Sequence, residues 1–349
     1  MTQHSLYRPA LGDSDLTVRV GVNGFGRIGR VLYRTILENH AQIDVVAVND
    51  IADCKALAHL FQFDSTHGRL NARVSCGSDS FTVNGKDTKV FSVKDPGQIP
   101  WKKADVDIVV ESTGVFTNRE DAAKHLASGA RKVIIAAPSK NADVTILPGV
   151  NDEQYDPGKH SVVSMGSCTS NCVGPVAKVL DDAFGIVRGF MLTVHAYTND
   201  QRLLDLPHKD LRRARAAGLS IIPTTTGAAV SVGMAVPKLR GKLDGTALRV
   251  PVPDGSVLDL TAELQKEVSA ETVNDAFRRA ADGKLEPILE YSTDPLVSID
   301  IIRNPHSAIF DSLSTMVVEK KMAKVLAWYD NEWGYSCRLT EFISRLAES

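Results

Sequence analysis

The sequence has few cysteines, almost no net charge and no long hydrophobic run. Its five cysteines lack the spacing of a disulfide framework, which predicts free thiols in a reducing, cytoplasmic compartment. A net charge of −2 gives no reason to expect nucleic acid or a membrane surface as the main partner. No apolar run approaches the ~18 residues of a membrane-spanning helix, so no membrane span is predicted.

The length and composition indicate a globular protein with more than one domain. A chain of 349 residues, 43% of them hydrophobic, has room for two domains with sizeable cores. Residues 1–17 are largely polar and lack the apolar segment of a signal peptide, so they are predicted to form a flexible tail.

A glycine-rich turn follows the first predicted strand, at 18–22. Gly24, Gly26 and Gly29 spell G-x-G-x-x-G ahead of a predicted helix at 30–38, where glycines let a pyrophosphate approach the helix N-terminus. Asp50 ends the next strand, about 20 residues further on, where an acid binds the adenosine ribose of NAD and repels the 2′-phosphate of NADP. The combination favours an NAD site over a glycine turn with a capping aspartate.

The order of the predicted elements indicates two different sheets. Strands and helices alternate through the first half, which predicts an α/β domain with a doubly wound parallel (Rossmann) sheet. Strands dominate afterwards, at 190–197, 247–252, 257–263, 296–302, 314–319 and 322–329, with one helix at 270–281; this predicts an α+β domain of mostly antiparallel sheet. We expect an NAD-binding domain at 18–167, joined by a C-terminal helix at 334–349, and a catalytic domain at 168–333.

A pair of cysteines lies where the two predicted domains meet. The segment from Ser167 to Cys172 separates a strand-like run at 161–164 from an amphipathic helix. Serine and threonine cap helices, so one cysteine is expected at a helix N-terminus, where free N–H groups and the helix dipole lower a thiol pKa. A buried structural cysteine between ordinary caps fits the segment equally well.

Seven motifs follow one another from about residue 18 to the C-terminus. They are NGFGRIGR at 23–30, FDSTHG at 63–68, SCTSNC at 167–172, TVHAYTNDQ at 193–201, LRRARAA at 211–217, PTTTGAA at 223–229 and WYDNEWGYS at 328–336. In this order they resemble the phosphorylating glyceraldehyde-3-phosphate dehydrogenase family. Small departures from its commonest pattern are Met165-Gly166 for Asn-Ala, Ser170 for Thr, and Ala136 for Ser.

The resemblance implies a role for each matched side chain. Cys168 is the nucleophile, His195 is the base, with an imidazole that titrates near neutral pH, and Cys172 is structural. Substrate and phosphate are bound by Ser167, Thr169, Thr198, Arg213, Thr226, Gly227 and Arg249. NAD is bound by Gly24, Gly26, Arg27, Ile28, Gly29, Asp50, Lys94, Thr113, Ala136, Asn331 and Tyr335. No metal site is predicted.

The implied activity is a two-stage oxidation. An NAD-dependent enzyme of glycolysis and gluconeogenesis would oxidise D-glyceraldehyde 3-phosphate through a cysteine thioester, and inorganic phosphate would release 1,3-bisphosphoglycerate. Erythrose-4-phosphate dehydrogenase shares the same scaffold, and a nucleotide-binding interaction protein that has lost catalysis is an alternative of another class. In the family the stretch 198–220 lies between subunits, which implies a homotetramer.

Overall fold

The computed structural model describes residues 17–348, so the predicted tail at 1–17 lies almost wholly outside the described residues. Two sheets organise this part of the chain, one of nine strands and one of seven, and a two-stranded hairpin accompanies them. Among residues 17–348, no helix combines the length and the apolar character needed to cross a membrane.

The first sheet is built from the N-terminal half of the chain. Its strand order is β10-β11-β9-β8-β1-β2-β7-β6-β5; the pairs from β10 to β7 are parallel and the last two are antiparallel. This confirms the predicted doubly wound sheet. The elements are β1 Val18–Asn23, α1 Arg27–Asn39, β2 Ile43–Asn49, α2 Cys54–Gln62, β3 Phe63–Asp64, β4 Gly68–Arg69, β5 Val74–Cys76, β6 Ser80–Val83, β7 Lys86–Phe91, β8 Ile108–Glu111, α3 Arg119–Ala122, α4 Lys124–Ala127, β9 Lys132–Ile135, β10 Val144–Thr145 and β11 Val162–Ser164.

The second sheet follows and has the order β13-β14-β12-β15-β18-β17-β16. Only the β12–β14 and β16–β17 pairs are parallel, which confirms a mostly antiparallel sheet. The helices and strands from residue 168 onward are α5 Cys168–Phe184, β12 Ile186–Ala196, β13 Ile222–Thr225, α6 Ala228–Ala235, β14 Leu243–Val250, β15 Ser256–Leu264, α7 Ala270–Ala281, β16 Leu289–Ser292, β17 Ala308–Val318, β18 Met322–Tyr329 and α8 Trp333–Glu348.

Two large hydrophobic cores correspond to the two sheets. One contains the apolar faces of α5, α6 and α7 against the second sheet. The other gathers β1, β2 and α1, and the C-terminal helix α8 returns to it through Tyr335, Leu339, Phe342 and Ile343. Cys168 packs against both cores. This packing supports the division into 18–167 with the C-terminal helix and 168–333, which stays a prediction.

Several predicted elements differ from the structure. The segment 296–302 was expected as a strand because its apolar residues alternate, but it contains a 3₁₀ turn, Ser298–Ile301, in which only Ile301 is buried. The first helix begins three residues earlier than predicted, at Arg27. Strands β5 and β16 and helix α6 were not predicted; β5 is only three residues long, which gives a pattern too short to detect.

Candidate active site

The glycine-rich turn between β1 and α1 contains three glycines with different constraints. Gly24 has φ +89°, and a Cβ there would lie 2.7 Å from the Thr113 nitrogen. A Cβ on Gly29 would lie 2.4 Å from the Gly24 carbonyl oxygen, so the protein itself requires these two glycines. A Cβ on Gly26 would meet no atom within 4 Å. Space is therefore left at the N-terminus of α1 where a pyrophosphate fits.

Asp50 lies immediately after β2, beside this turn. Its carboxylate accepts hydrogen bonds from the backbone nitrogens of Phe25, at 2.8 Å, and Ala52, at 3.0 Å. The half-buried carboxylate therefore braces the turn and keeps lone pairs for further donors, as an acid that binds ribose hydroxyls must.

Other predicted cofactor residues share the same edge of the first sheet. Thr113 and Ala136 follow the carboxyl ends of β8 and β9, and exposed Lys94 follows β7. This is the edge at which open α/β sheets bind their ligands. Arg27 and Ile28 open α1, so their backbone N–H groups have no intrahelical acceptor.

The last two predicted cofactor residues come from the C-terminal segment. The Asn331 side-chain oxygen accepts a hydrogen bond of 2.6 Å from the Ser256 hydroxyl, which leaves the amide –NH₂ group to face a ligand. Tyr335 is buried, and its hydroxyl donates to the Gly166 carbonyl at 3.0 Å. No role for Ser256 was predicted, because its contact with Asn331 spans 75 positions of the sequence.

Cys168 is the first residue of α5 and is held by the helix cap. The Ser167 hydroxyl accepts from the Ser170 nitrogen at 3.0 Å, and the Ser170 hydroxyl accepts from the Ser167 nitrogen at 2.6 Å. This reciprocal capping box fixes the first turn of the helix. The Cys168 sulfur then lies 3.4 Å from Nε2 of His195, which comes from β12. Cys172 lies one turn further on and is fully buried, in agreement with a structural role.

Arg249 approaches the other side of the imidazole. It faces His195 across the parallel β12–β14 pair, and its Nη1 lies 2.8 Å from His195 Nδ1 and 3.0 Å from the Ala196 carbonyl oxygen. A guanidinium can only donate, so while this contact lasts Nδ1 accepts and Nε2 carries the proton that faces the sulfur; the Ala196 carbonyl oxygen, 2.7 Å from Nδ1, favours the opposite tautomer. The Arg249 Nε is buried with no hydrogen-bond partner among the described residues, which leaves a donor for an anion.

Burial dominates the protonation of the pair. It raises the pKa of the Cys168 thiol to about 11, against the lowering effects of the Arg249 charge and of hydrogen bonds from Thr169. Burial and, to a smaller extent, the Arg249 charge lower the pKa of His195 to about 3. The predictions of a lowered thiol pKa and of an imidazole that titrates near neutral pH are therefore wrong for this arrangement. A neutral thiol faces a neutral imidazole.

The predicted phosphate ligands occupy different settings. The Arg213 Nε donates to the Thr224 hydroxyl at 2.9 Å, and its Nη1 pairs with Asp200, so this guanidinium is already engaged. Thr198 is exposed in the loop after β12. Thr226 and Gly227 directly precede α6, and the Thr226 hydroxyl accepts a hydrogen bond of 3.2 Å from the Ala228 nitrogen.

Thr169 points into the protein. Its hydroxyl lies 2.9 Å from that of buried Tyr329, which also contacts the Thr193 hydroxyl at 2.6 Å. Sequence reasoning gave Tyr329 no role, although it belongs to the motif at 328–336. The structure thus brings Cys168, His195 and Arg249 together, and Arg213 is near enough for its charge also to lower the pKa of His195.

The comparisons with known proteins agree with this architecture. Residues 18–119 match the family model described as "Glyceraldehyde 3-phosphate dehydrogenase, NAD binding domain", and residues 167–331 match its "C-terminal domain". The fold and these matches define an NAD-dependent oxidoreductase.

Curated relatives cover nearly the whole chain. A glyceraldehyde-3-phosphate dehydrogenase of Streptomyces coelicolor is 59% identical over 93% of this chain and 97% of its own length. One from Geobacillus stearothermophilus is 58% identical, with 95% and 99% covered, and one from Mycobacterium avium is 56% identical, with 96% and 100% covered. The chain belongs to the glyceraldehyde 3-phosphate dehydrogenase family.

The glycine turn provides a matched pair of substitutions. Gly26→Ala should leave the midpoint of thermal unfolding unchanged and weaken NAD⁺ binding, because the methyl group enters space that only a ligand would fill. Gly29→Ala should cost roughly 1–3 kcal/mol of stability, because its Cβ collides with a backbone carbonyl. Thermal unfolding and a fluorescence titration with NAD⁺ measure both effects. Wild-type NAD⁺ affinity in Gly26→Ala would contradict the proposed pyrophosphate position.

Removing the charge of Arg249 tests its effect on the pKa of the Cys168 thiol. A nearby cation favours the thiolate, so Arg249→Gln should raise the pKa of Cys168. The fraction of Cys168 present as thiolate should then be lower at any pH below that pKa. A rise of one unit would slow alkylation of Cys168 at about pH 8 on the order of tenfold. The iodoacetamide rate measured against pH gives the apparent pKa. Arg240→Gln, on the exposed surface, is the control; an unchanged profile in Arg249→Gln would refute the electrostatic argument.

Proposed function

We propose that this protein catalyses the NAD-dependent, phosphorylating oxidation of D-glyceraldehyde 3-phosphate to 1,3-bisphosphoglycerate in the cytoplasm. The observation that carries the proposal is the Cys168 sulfur 3.4 Å from His195 Nε2, with Arg249 against the far side of the ring. Addition to a phosphorylated aldehyde requires a thiol, a base and a cation that binds the phosphate, and these three side chains are in contact here. The names of the relatives point to the same substrate.

Activation of the thiol depends on Arg249. While its guanidinium donates to Nδ1, Nε2 is a donor and cannot take the proton of Cys168. A substrate phosphate that draws the Arg249 guanidinium off Nδ1 lets the imidazole change tautomer: Nε2 loses its proton to solvent, Nδ1 gains one, and Nδ1–H donates to the Ala196 carbonyl oxygen, which lies 2.7 Å away. Nε2 then accepts the thiol proton. Substrate binding would therefore make His195 a competent base, while the nearby Arg249 charge continues to favour the thiolate.

Two chemical stages follow at Cys168. The thiolate adds to the aldehyde carbon while His195 returns the thiol proton to the carbonyl oxygen, which gives a hemithioacetal. Neutral His195 then takes the hydroxyl proton as the carbon is oxidised. Bound NAD⁺ supplies the hydride acceptor. The product on Cys168 is a thioester, which inorganic phosphate attacks to release the acyl phosphate and restore the thiol.

The second phosphate would bind where α5 and α6 begin. Thr226 and Gly227 stand just before α6, where the Ala228 nitrogen donates to the Thr226 hydroxyl at 3.2 Å and the other N–H groups of the first turn favour an anion. Arg213 would have to exchange Asp200 for this phosphate. Together with Arg249, the two helix N-termini and Arg213 offer more anion-binding donors than the phosphate of the aldehyde needs. This surplus supports inorganic phosphate as a second substrate.

The phosphate requirement gives the decisive experiment. Without phosphate, enzyme mixed with NAD⁺ and glyceraldehyde 3-phosphate should release about one NADH per active subunit and then nearly stop, because the thioester accumulates. Phosphate or arsenate should restore steady turnover. Cys168→Ser should bind NAD⁺ and give no burst. Full turnover without phosphate would overturn the proposal and indicate an enzyme that makes the free acid.

We further propose a homotetramer in which the loop after β12 contacts another subunit. The loop exposes large apolar side chains that a monomer would have no reason to present to water. Their exposed fractions are 87% for Leu203, 72% for Leu204, 59% for Leu206 and 80% for Leu211.

Light scattering tests the assembly. The wild-type protein should have four times the mass of one chain. Leu203→Asp combined with Leu211→Asp should lower this mass, because buried carboxylates would lack partners. Leu60→Asp, on the exposed face of α2, is the control and should leave the assembly unchanged. A wild-type monomer would disprove the tetramer.

A further inference from the structure

Two thiols lie side by side on the NAD-binding part of the structure, away from Cys168. Cys54 is the first residue of α2, and Cys76 is the last residue of β5, the edge strand of the nine-stranded sheet. Their sulfurs are 2.7 Å apart although the residues are 22 positions apart in sequence. A disulfide of about 2.05 Å would need only a small closing movement.

The surroundings hold both sulfurs at one place. Cys54 Sγ donates to the Ser80 carbonyl oxygen at 3.3 Å, and Cys76 Sγ lies 3.2 Å from the Gly77 carbonyl oxygen. The Gly77 nitrogen donates to the same Ser80 carbonyl, which closes the β5–β6 turn. The first turn of α2 and this hairpin therefore meet through the two thiols.

Accessibility distinguishes this pair from most of the other cysteines. Cys76 is exposed and Cys54 is half-buried, whereas Cys172 and Cys337 are buried. An oxidant can reach Cys76 directly, and the partner thiol is already in contact with it. This is the arrangement of an attacking thiol beside a resolving thiol.

The electrostatics assign the order of reaction. Burial of Cys54, its hydrogen bond with Cys76 and the nearby carboxylates of Asp53 and Asp79 raise the pKa of Cys54 to about 12. Cys54 therefore keeps its proton. Cys76 is exposed, so its sulfur is the one that an oxidant meets first, and this makes Cys76 the first nucleophile.

We propose that Cys54 and Cys76 form a reversible disulfide when the protein meets hydrogen peroxide. The Cys76 thiolate attacks one peroxide oxygen, the O–O bond breaks, and hydroxide leaves and is protonated to water, which gives a sulfenic acid. The Cys54 sulfur then attacks the Cys76 sulfur, the S–O bond breaks, and a second water leaves with the Cys54 proton. Two thiols lose two electrons and two protons, and one peroxide becomes two waters.

The bond would join elements next to the cofactor edge. α2 starts four residues after Asp50, and Asp53 caps it by accepting from the Ala56 nitrogen at 2.9 Å. A link from Cys54 to β5 would close a loop around β3 and β4 and tie the start of α2 to the sheet. The oxidised protein should therefore unfold at a higher temperature than the reduced protein.

The test uses the full-length Cys168→Ser protein with NAD⁺ bound, so that the catalytic thiol does not compete. Hydrogen peroxide should lower the intact mass by about 2 Da, and the free thiols titrated after denaturation should fall from four to two. Peptide mapping without reduction should join the segments that contain Cys54 and Cys76. Dithiothreitol should reverse both changes.

Two further substitutions separate the steps. With Cys54→Ser added, Cys76 should stop at the sulfenic acid and react with dimedone. With Cys76→Ser added instead, the mass should not change. Two results would overturn the proposal: added oxygen on the peptide that contains Cys76 in the protein that retains Cys54, or four free thiols after oxidation. Activity is not the readout, so failure here leaves the proposed dehydrogenase function untouched.

Discussion

The capping box between Ser167 and Ser170 fixes the junction at which the chain passes from the first sheet to the second core. Strand β11 ends in the first sheet at Ser164, and α5 begins the second core only four residues later. The Asn171 amide also donates to the Met165 carbonyl oxygen at 2.7 Å, so the short connection is bonded at both ends. Cys168 can therefore contact both cores and meet a base from the second sheet.

Burial sets the chemistry of this junction more strongly than the helix dipole does. A dipole contributes about 0.3–1 kcal/mol at an exposed site, whereas loss of water around a thiol disfavours its charged form outright. The pair is consequently neutral, and the Arg249 cation is the adjustable component. An enzyme built this way would keep its thiol unreactive until a phosphorylated substrate arrives, which would also limit damage by adventitious oxidants.

Local signals in the sequence predicted the local features. Helix α7 has the predicted bounds, 270–281, because Ser269 caps it. Long-range contacts were not predictable. The burial behind the Cys168 pKa and the Asp200 pair of Arg213 depend on residues brought together only by folding. The same holds for Cys54 and Cys76: no role was predicted for either residue, because they are 22 positions apart in sequence and only the fold brings them together.

The two ends of the predicted cofactor site are connected by ion pairs through the protein. Arg27, in the glycine turn, binds Asp64 at 2.5 Å and also pairs with Glu332, the neighbour of Asn331. Glu332 in turn lies 2.9 Å from Nε2 of buried His67. The glycine turn, predicted to bind the pyrophosphate, and the segment of Asn331, predicted to bind another part of NAD, are thereby held in one arrangement by side chains of the protein. Binding energy from the cofactor is then available for orientation, since little of it is consumed in assembling the site.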